Sequence, residues 1–440
     1  MRSISILPFV AIATALVLPD IQVFEQLSLD GERNEERVEF VPAKFVHSDS
    51  GTVLDEEESS DAADWAQDGG HGHHPHGPFD LTIYQLLSLS NRTTKFLELV
   101  NEHDSIIKLL NSTKANYTLF VPTNDAFEHA PHHGDKKPSK EFIESLLKYH
   151  IGVGAYPTSR LRWAFTIPTA LDESLLDDQP QRLRVRTGII GPTQLNFITH
   201  VVGGNVAVRN GVVHAINRPL LPPVFVGREL SLFPARFSTL LLAYEKTNFV
   251  DFIHHVTLRG STVFAPDNDA FRRLGPRANA FLFNTERGRG YLRALLKYQI
   301  VANATLYSDA LYRADGVAEA IEADEVPAEE DDVVDQILEG RRYHVDLPTL
   351  LGDTSVSVDV TRLGRWFSRI VVNGRVRVSV HDAVAKNGVI QVVSGVPIPP
   401  HKHHGAWDQR MGPIEVDDLI ERLEDYVEEE DSREESWDDL

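Results

Sequence analysis

The 440-residue sequence contains no cysteine, which removes disulfides as a source of stability and rules out thiolate nucleophiles and cysteine-based zinc sites. Its folded parts must be held by apolar cores of ordinary size, and a chain of this length can build two or three of them. Net charge is also missing where a nucleic-acid-binding surface would need it. Residues 20–78 carry 15 acidic and 3 basic side chains, and 413–440 carry 14 and 2; with Arg2 set aside, 79–412 holds 36 acidic and 37 basic. The overall charge of −22 therefore belongs to the ends, and the neutral middle argues against a nucleic-acid partner. After the N-terminal stretch, no apolar run reaches the roughly 18 residues that a membrane span requires. No Gly-x-Ser-x-Gly, His-Glu-x-x-His, P-loop or dinucleotide fingerprint occurs, so neither catalysis nor a cofactor is expected.

What is present begins with a leader. Met1-Arg2-Ser3 precedes an apolar run from Ile4 to Leu18 closed by Pro19-Asp20. That is the pattern of a signal peptide over 1–19, with a buried N-terminal helix or an uncleaved anchor as the alternatives. Asn-x-Ser/Thr sequons stand at Asn91, Asn111, Asn116 and Asn303. Leader and sequons together predict a glycoprotein of the secretory pathway, secreted or at the cell surface, alternatively in a vacuole. The chain ends Glu-Glu-Ser-Trp-Asp-Asp-Leu, without the apolar tail of a lipid-anchor signal.

Residues 20–78 are acidic and lack apolar periodicity, the composition of a disordered segment. They close on His71, His73, His74 and His76, and His401, His403 and His404 follow the central region. Neutral imidazoles at such spacing can hold zinc, copper or nickel; the alternative is a pair of solvated histidine tracts. In the acidic tail 401–440, Ile414, Leu419, Leu423 and Val427 recur at near-helical spacing, predicting an exposed acidic helix.

The centre repeats itself. Tyr117-Thr118-Leu119-Phe120-Val121-Pro122-Thr123-Asn124-Asp125-Ala126-Phe127 returns as Ser261-Thr262-Val263-Phe264-Ala265-Pro266-Asp267-Asn268-Asp269-Ala270-Phe271. Leu146 to Ile151 returns as Leu295 to Ile300, and Asn210-Gly211-Val212-Val213 as Asn387-Gly388-Val389-Ile390, with Pro222-Pro223 and Pro399-Pro400 closing the copies. Three blocks in one order indicate a duplicated module, at 79–224 and 225–400. The second copy is longer by 28 residues between its last two blocks, an interval holding an acidic insertion at 319–339. The first block reads as a β-branched and aromatic strand stopped by Pro122, then a helix capped by Thr123 or Asn124 that buries Ala126 and Phe127. The second reads as an amphipathic helix with Phe142, Leu146, Leu147 and Tyr149-His150 on its apolar side. In the third, Asn-Gly suits the centre of a type I′ hairpin turn.

These blocks resemble the fasciclin-like (FAS1) domain, seen twice in tandem. The residues that carry the resemblance are Asn124, Asp125 and Phe127 with Asn268, Asp269 and Phe271, then Tyr149-His150 with Tyr298, then Asn210-Gly211 with Asn387-Gly388. The resemblance implies an α+β fold in which each module is a small β-wedge with packed helices, between disordered acidic termini. It also implies a non-catalytic role in cell adhesion, through extracellular or luminal proteins or glycans. Two departures stand out: Gln299 where the family has histidine, and Phe165 to Leu171 in place of the Thr349-Leu350-Leu351-Gly352 element of the second copy. Asp125 and Asp269 read as helix-capping groups rather than catalytic carboxylates. His150 reads as a packed, hydrogen-bonded histidine, since no motif places a nucleophile or acid beside it. A luminal metal-binding protein using the histidine clusters is the alternative function.

Overall fold

The computed structural model describes residues 80–128, 138–188, 191–256, 258–309, 311–312, 318–319, 341–363, 367–401 and 413–427. The leader, the 20–78 segment with its four histidines, His403, His404 and the acidic insertion beyond Glu319 lie outside the described residues. The described residues form two compact units, within the bounds Met1–Arg162 with Val185–Leu221 and Trp163–Arg184 with Pro222–Leu440. The second unit thus takes 163–184 as well as the residues of the second copy, a division that the repeat boundaries at 224 and 225 do not anticipate.

The first unit opens with three short helices, α1 (Ile83–Leu89), α2 (Thr94–Asn101) and α3 (Asp104–Asn111). Thr82 starts α1 with a capping box, its hydroxyl accepting from the Gln85 amide while the Gln85 side-chain oxygen accepts from the Thr82 amide. Next come β1 (Tyr117–Pro122), α4 (Lys140–Tyr149), β2 (Ile151–Val153) and the single turn α5 (Thr158–Leu161). The hairpin of β3 (Thr166–Glu173) and β4 (Gln179–Arg186) comes next in the chain, its residues up to Arg184 belonging to the second unit; β5 (Gln194–Leu195), β6 (Thr199–Val208) and β7 (Gly211–Ile216) return to the first. β1 lies between β2, antiparallel, and β7, parallel, and β7 carries β6 on its other side. β1 and β7 are buried nearly throughout, so they read as continuous apolar runs rather than alternating ones. Phe96, Leu110, Phe120, Leu147 and Tyr149 fill the core beside them.

The second unit repeats the plan at larger size. α6 (Val226–Ser231), α7 (Pro234–Lys246) and α8 (Phe249–His254) lead into β8 (Ser261–Pro266). α9 (Asn268–Leu274), α10 (Pro276–Asn284) and α11 (Glu286–Tyr298) precede β9 (Ile300–Ala302) and a two-stranded pair, β10 (Leu311–Tyr312) with β11 (Ala318–Glu319). β12 (Arg341–Pro348), β13 (Ser355–Leu363), β14 (Phe367–Val372), β15 (Val376–Ala385) and β16 (Gly388–Val393) complete a seven-stranded sheet, ordered β12-β13-β14-β15-β16-β8-β9. β16 and β8 run parallel, as β7 and β1 do.

Pro122 ends the first strand as expected, in register with Ile216, because a residue whose amide is not needed can hold the last rung. Several other local expectations need correction. Phe142 is 42% exposed, so the buried side of α4 is Leu146, Leu147 and Tyr149. The Asn-Gly pairs are not the two central turn residues: Val208 pairs with Gly211 and Ala385 with Gly388. The turns are Arg209-Asn210 and Lys386-Asn387, neither with positive φ, and the glycines begin the returning strands at φ 151°. A Cβ on Gly211 or Gly388 would overlap the backbone of Tyr117 or Ser261 in the parallel neighbour, and that close approach is what requires glycine. Finally, the tail helix α12 (Val416–Leu423) is not an exposed one. Leu419 and Leu423 are fully buried in the core of the second unit, and α12 packs against α10 and α11.

Candidate functional site

The repeated motif residues hold the backbone together from inside. Asn210 is buried at the turn before β7, where its carbonyl oxygen accepts from the Ile83 amide at 2.9 Å. Its amide donates to the carbonyls of Leu110 (2.9 Å) and Ser112 (2.8 Å). One side chain thereby ties the start of α1 and the end of α3 to the central hairpin. Asn387 repeats the first of these bonds with the Val226 amide at 3.1 Å. Asn124 and Asn268 do a similar task above β1 and β8: their carbonyl oxygens accept from the Lys95 and Thr239 amides, and their amides donate to the carbonyls of Asn91 and Ala235. Such bonds satisfy helix-terminal groups that have no partner within their own helix.

Neither Asp125 nor Asp269 is the cap. Asp125 sits in a 3₁₀ turn, Asp125–Phe127, that buries Ala126 and leaves Phe127 half-buried. In the second copy Asp267 caps α9 through the Ala270 amide at 2.9 Å, while Asp269 lies in the first turn and pairs with Arg272. Phe271 is buried where Phe127 is not. There the chain continues as regular helix from Asn268 to Leu274.

Tyr149 and Tyr298 are both fully buried, and each phenol accepts from an asparagine in the left-handed region, Asn196 (φ 43°) and Asn373 (φ 50°). Asn373 also reaches the Ile398 carbonyl at 3.0 Å and the Ser357 amide at 3.1 Å. Neither asparagine lies in a repeated block; the offset of 177 that separates the last blocks, applied to the polar residues ahead of them, would have paired the two.

His150 ends α4 with both ring nitrogens engaged, Nδ1 with the Leu146 carbonyl at 2.8 Å and Nε2 with the Leu220 amide at 2.9 Å. A second buried histidine, His214 on β7, places Nε2 2.8 Å from the Tyr156 carbonyl and Nδ1 3.2 Å from the Asn205 amide. The second copy has Gln391 there, whose Oε1 accepts from the Asp382 amide (3.1 Å) and whose Nε2 donates to the Leu306 carbonyl (2.8 Å). Burial lowers the pKa of both His150 and His214 to about 4, opposed only by the carbonyl each one faces. A histidine held neutral with both nitrogens occupied by the backbone has no free lone pair for a substrate proton.

Among the described residues no group of three or more His, Asp or Glu could hold a metal ion. His401 lies 2.7 Å from Asp418 and 3.7 Å from Glu421 of α12, where it helps seat that helix. Asn91, Asn111, Asn116 and Asn303 are all exposed. The large apolar side chains that remain exposed in the second unit include Phe225 (52%), Val250, Phe233 and Leu242, all on or beside α6 to α8. No helix among the described residues is long and apolar enough to cross a membrane.

Two α+β modules whose motif residues serve as internal braces define a class of repeat scaffold. The chain belongs to the Fasciclin domain family, which matches residues 91–222 and 235–399. A relative from Gibberella zeae, Aurofusarin biosynthesis cluster protein S, is 30% identical over 380 residues, covering 81% of this chain and 89% of that protein. Mouse Stabilin-2 is 28% identical over 197 residues, 42% of this chain and 7% of its own length. Among solved structures, a FAS1 domain pair from the insect cell adhesion molecule fasciclin I shares 18% identity, with a TM-score of 0.32 over 69% of this chain and 95% of that one.

Proposed function

We propose that this protein is a non-catalytic adhesion or interaction protein of the secretory pathway, secreted or held at a cell surface, with a vacuole as the alternative address. The observation that carries the reading is the use made of the motif residues. Asn124, Asn210, Asn268, Asn387 and His150 are bound to backbone groups, and Tyr149 and Tyr298 to the side chains of Asn196 and Asn373, which makes each module a braced support for its surface. Membership of the fasciclin-domain family supports the same role. The exposed apolar side chains beside α6 to α8, Phe225 and Phe233 above all, are the surface best suited to a protein partner or to the apolar face of a glycan. Exposed sequon asparagines fit a glycoprotein.

The test uses the full chain immobilised for cell attachment and for pull-down against secreted proteins and glycans. Saturable binding that falls at least about tenfold in a Phe225→Ser/Phe233→Ser variant with wild-type circular dichroism is the expected result. An absence of binding across a broad panel removes the proposal.

A second reading rests on the Gibberella relative, named for a biosynthesis cluster and matched along most of its length. By that reading the chain serves beside small-molecule biosynthetic enzymes as a binding component. Co-purification of such enzymes with the tagged chain would support it. Metal binding through His71, His73, His74, His76, His401, His403 and His404 is the third reading, and calorimetry with zinc on wild type and a His-to-Ala variant decides it.

A further inference from the structure

The buried titratable groups of the two units lean in opposite directions. In the first, the hydrogen bonds of His150 and His214 fix each ring in one neutral tautomer. Nδ1 of His150 faces a carbonyl and must carry the proton, so Nε2 is the acceptor for the Leu220 amide. In His214 the roles reverse: Nε2 donates to the Tyr156 carbonyl and Nδ1 accepts from the Asn205 amide. A second proton on either ring would set a ring N–H against a backbone N–H, inside a core where water cannot help. The ring against His150 is Phe96 and that against His214 is Phe120. No carboxylate contributes to either site, and the nearby cation Arg160 lies over the Tyr156 ring. His200, beside Arg218, the exposed Glu141 and the half-buried Glu144 are also shifted downward.

The second unit has replaced these groups and added others. Gln391 reproduces the donor and acceptor of His214 with an amide that does not titrate. Gln299 stands where His150 does, and Pro397 stands where Leu220 supplied its amide. Asp382, the counterpart of Asn205, is a fully enclosed carboxylate that accepts from the Ser308 amide and hydroxyl and from Gln391. Burial raises its pKa, as does Asp309, which is itself faced by Thr166 and by Arg182 at 3.6 Å. Glu229, beside Arg228 and bonded to the Val224 amide, is pushed up to about 7 by burial. The exposed His344 is raised by its hydrogen bond to Asp359, with Asp346 adding to it.

We propose that acidification loosens the first repeat and tightens the second, so that the protein carries an acid-released module beside an acid-resistant one. A group whose pKa is lower in the folded state contributes stability that is complete above its unfolded value and is lost as pH falls. For His150 and His214 that window runs from 6.5 down to about 4. A group whose pKa is raised on folding does the reverse, so protonating Asp382 and Glu229 relieves a burden that ionisation imposes at neutral pH. Within the window, each histidine multiplies the open fraction of the first repeat by about ten per pH unit.

Hydrogen exchange of the full-length chain at neutral pH and at about pH 5, corrected for intrinsic rates, reads both repeats in one sample. Peptides from β1, α4 and β7 should show opening enhanced at least about tenfold at the lower pH, with those from β8, α11 and β16 unchanged or better protected. The His150→Gln/His214→Gln variant should abolish the enhancement. Equal responses in the two repeats, or a larger one in the second, overturn the proposal. So does an enhancement that persists in the folded double variant. If that variant does not fold, the wild-type comparison decides by itself.

Discussion

The Leu220 amide donates to Nε2 of His150 across 2.9 Å, joining the end of α4 to the segment that closes the first repeat. In the second repeat both partners change together: Pro397 has no amide hydrogen, and Gln299 takes the place of the ring. The Gln299 Nε2 finds no acceptor among the described residues, which marks this as the less well satisfied version of the same contact. The departure from the family's histidine is therefore one half of a paired exchange.

His150→Ala should destabilise the first repeat by about 2–4 kcal/mol, since it opens a cavity and strands the Leu220 amide. His150→Gln should cost less than half as much, because its oxygen can still accept. Urea unfolding near neutral pH compares them, and equal costs would show that the acceptor at Nε2 does not matter.

Gly211→Ala and Gly388→Ala should each cost about 3 kcal/mol or more, or prevent folding, because the new methyl group meets the backbone of the parallel strand. Expression yield and thermal unfolding are the measurements. A loss below about 1 kcal/mol would mean that β1 and β7 can part locally without cost.

Asn210→Ala and Asn387→Ala should differ. Asn210 makes three side-chain bonds to α1, Leu110 and Ser112, and Asn387 makes one to α6. At roughly 1 kcal/mol per buried bond, the first change should cost about 3 kcal/mol and the second about 1 kcal/mol. Hydrogen exchange in α1 and α3 should rise in the Asn210 variant alone.

Leu419→Ala with Leu423→Ala should detach α12, each change removing about 2–4 kcal/mol of packing. Limited proteolysis should then cut within 413–427 while the rest of the second unit stays intact. Cleavage at the wild-type rate would show that the helix docks through other contacts.

The duplication, its order of blocks and the strand and helix character of each block were legible in the residues, because repeats and hydrophobic periodicity are local properties of a chain. The absence of cysteine likewise fixed in advance that each core is held by packing and hydrogen bonds alone. The roles of the polar motif residues were not legible. Asn210-Gly211 has the composition of a type I′ turn, yet its glycine serves the strand that runs parallel to it and its asparagine serves helices about 100 residues earlier. The acidic tail had the composition of a solvated helix, and only the groove on α10 and α11 turned Leu419 and Leu423 inward. His214, Asn205, Gln391 and Asp382 stand outside the repeated blocks, and their shared offset of 177 gives their equivalence but not their bonds. Whether a buried polar atom is satisfied, and what a proton does there, depends on backbone groups brought to it from distant parts of the chain, and tertiary structure alone supplies them.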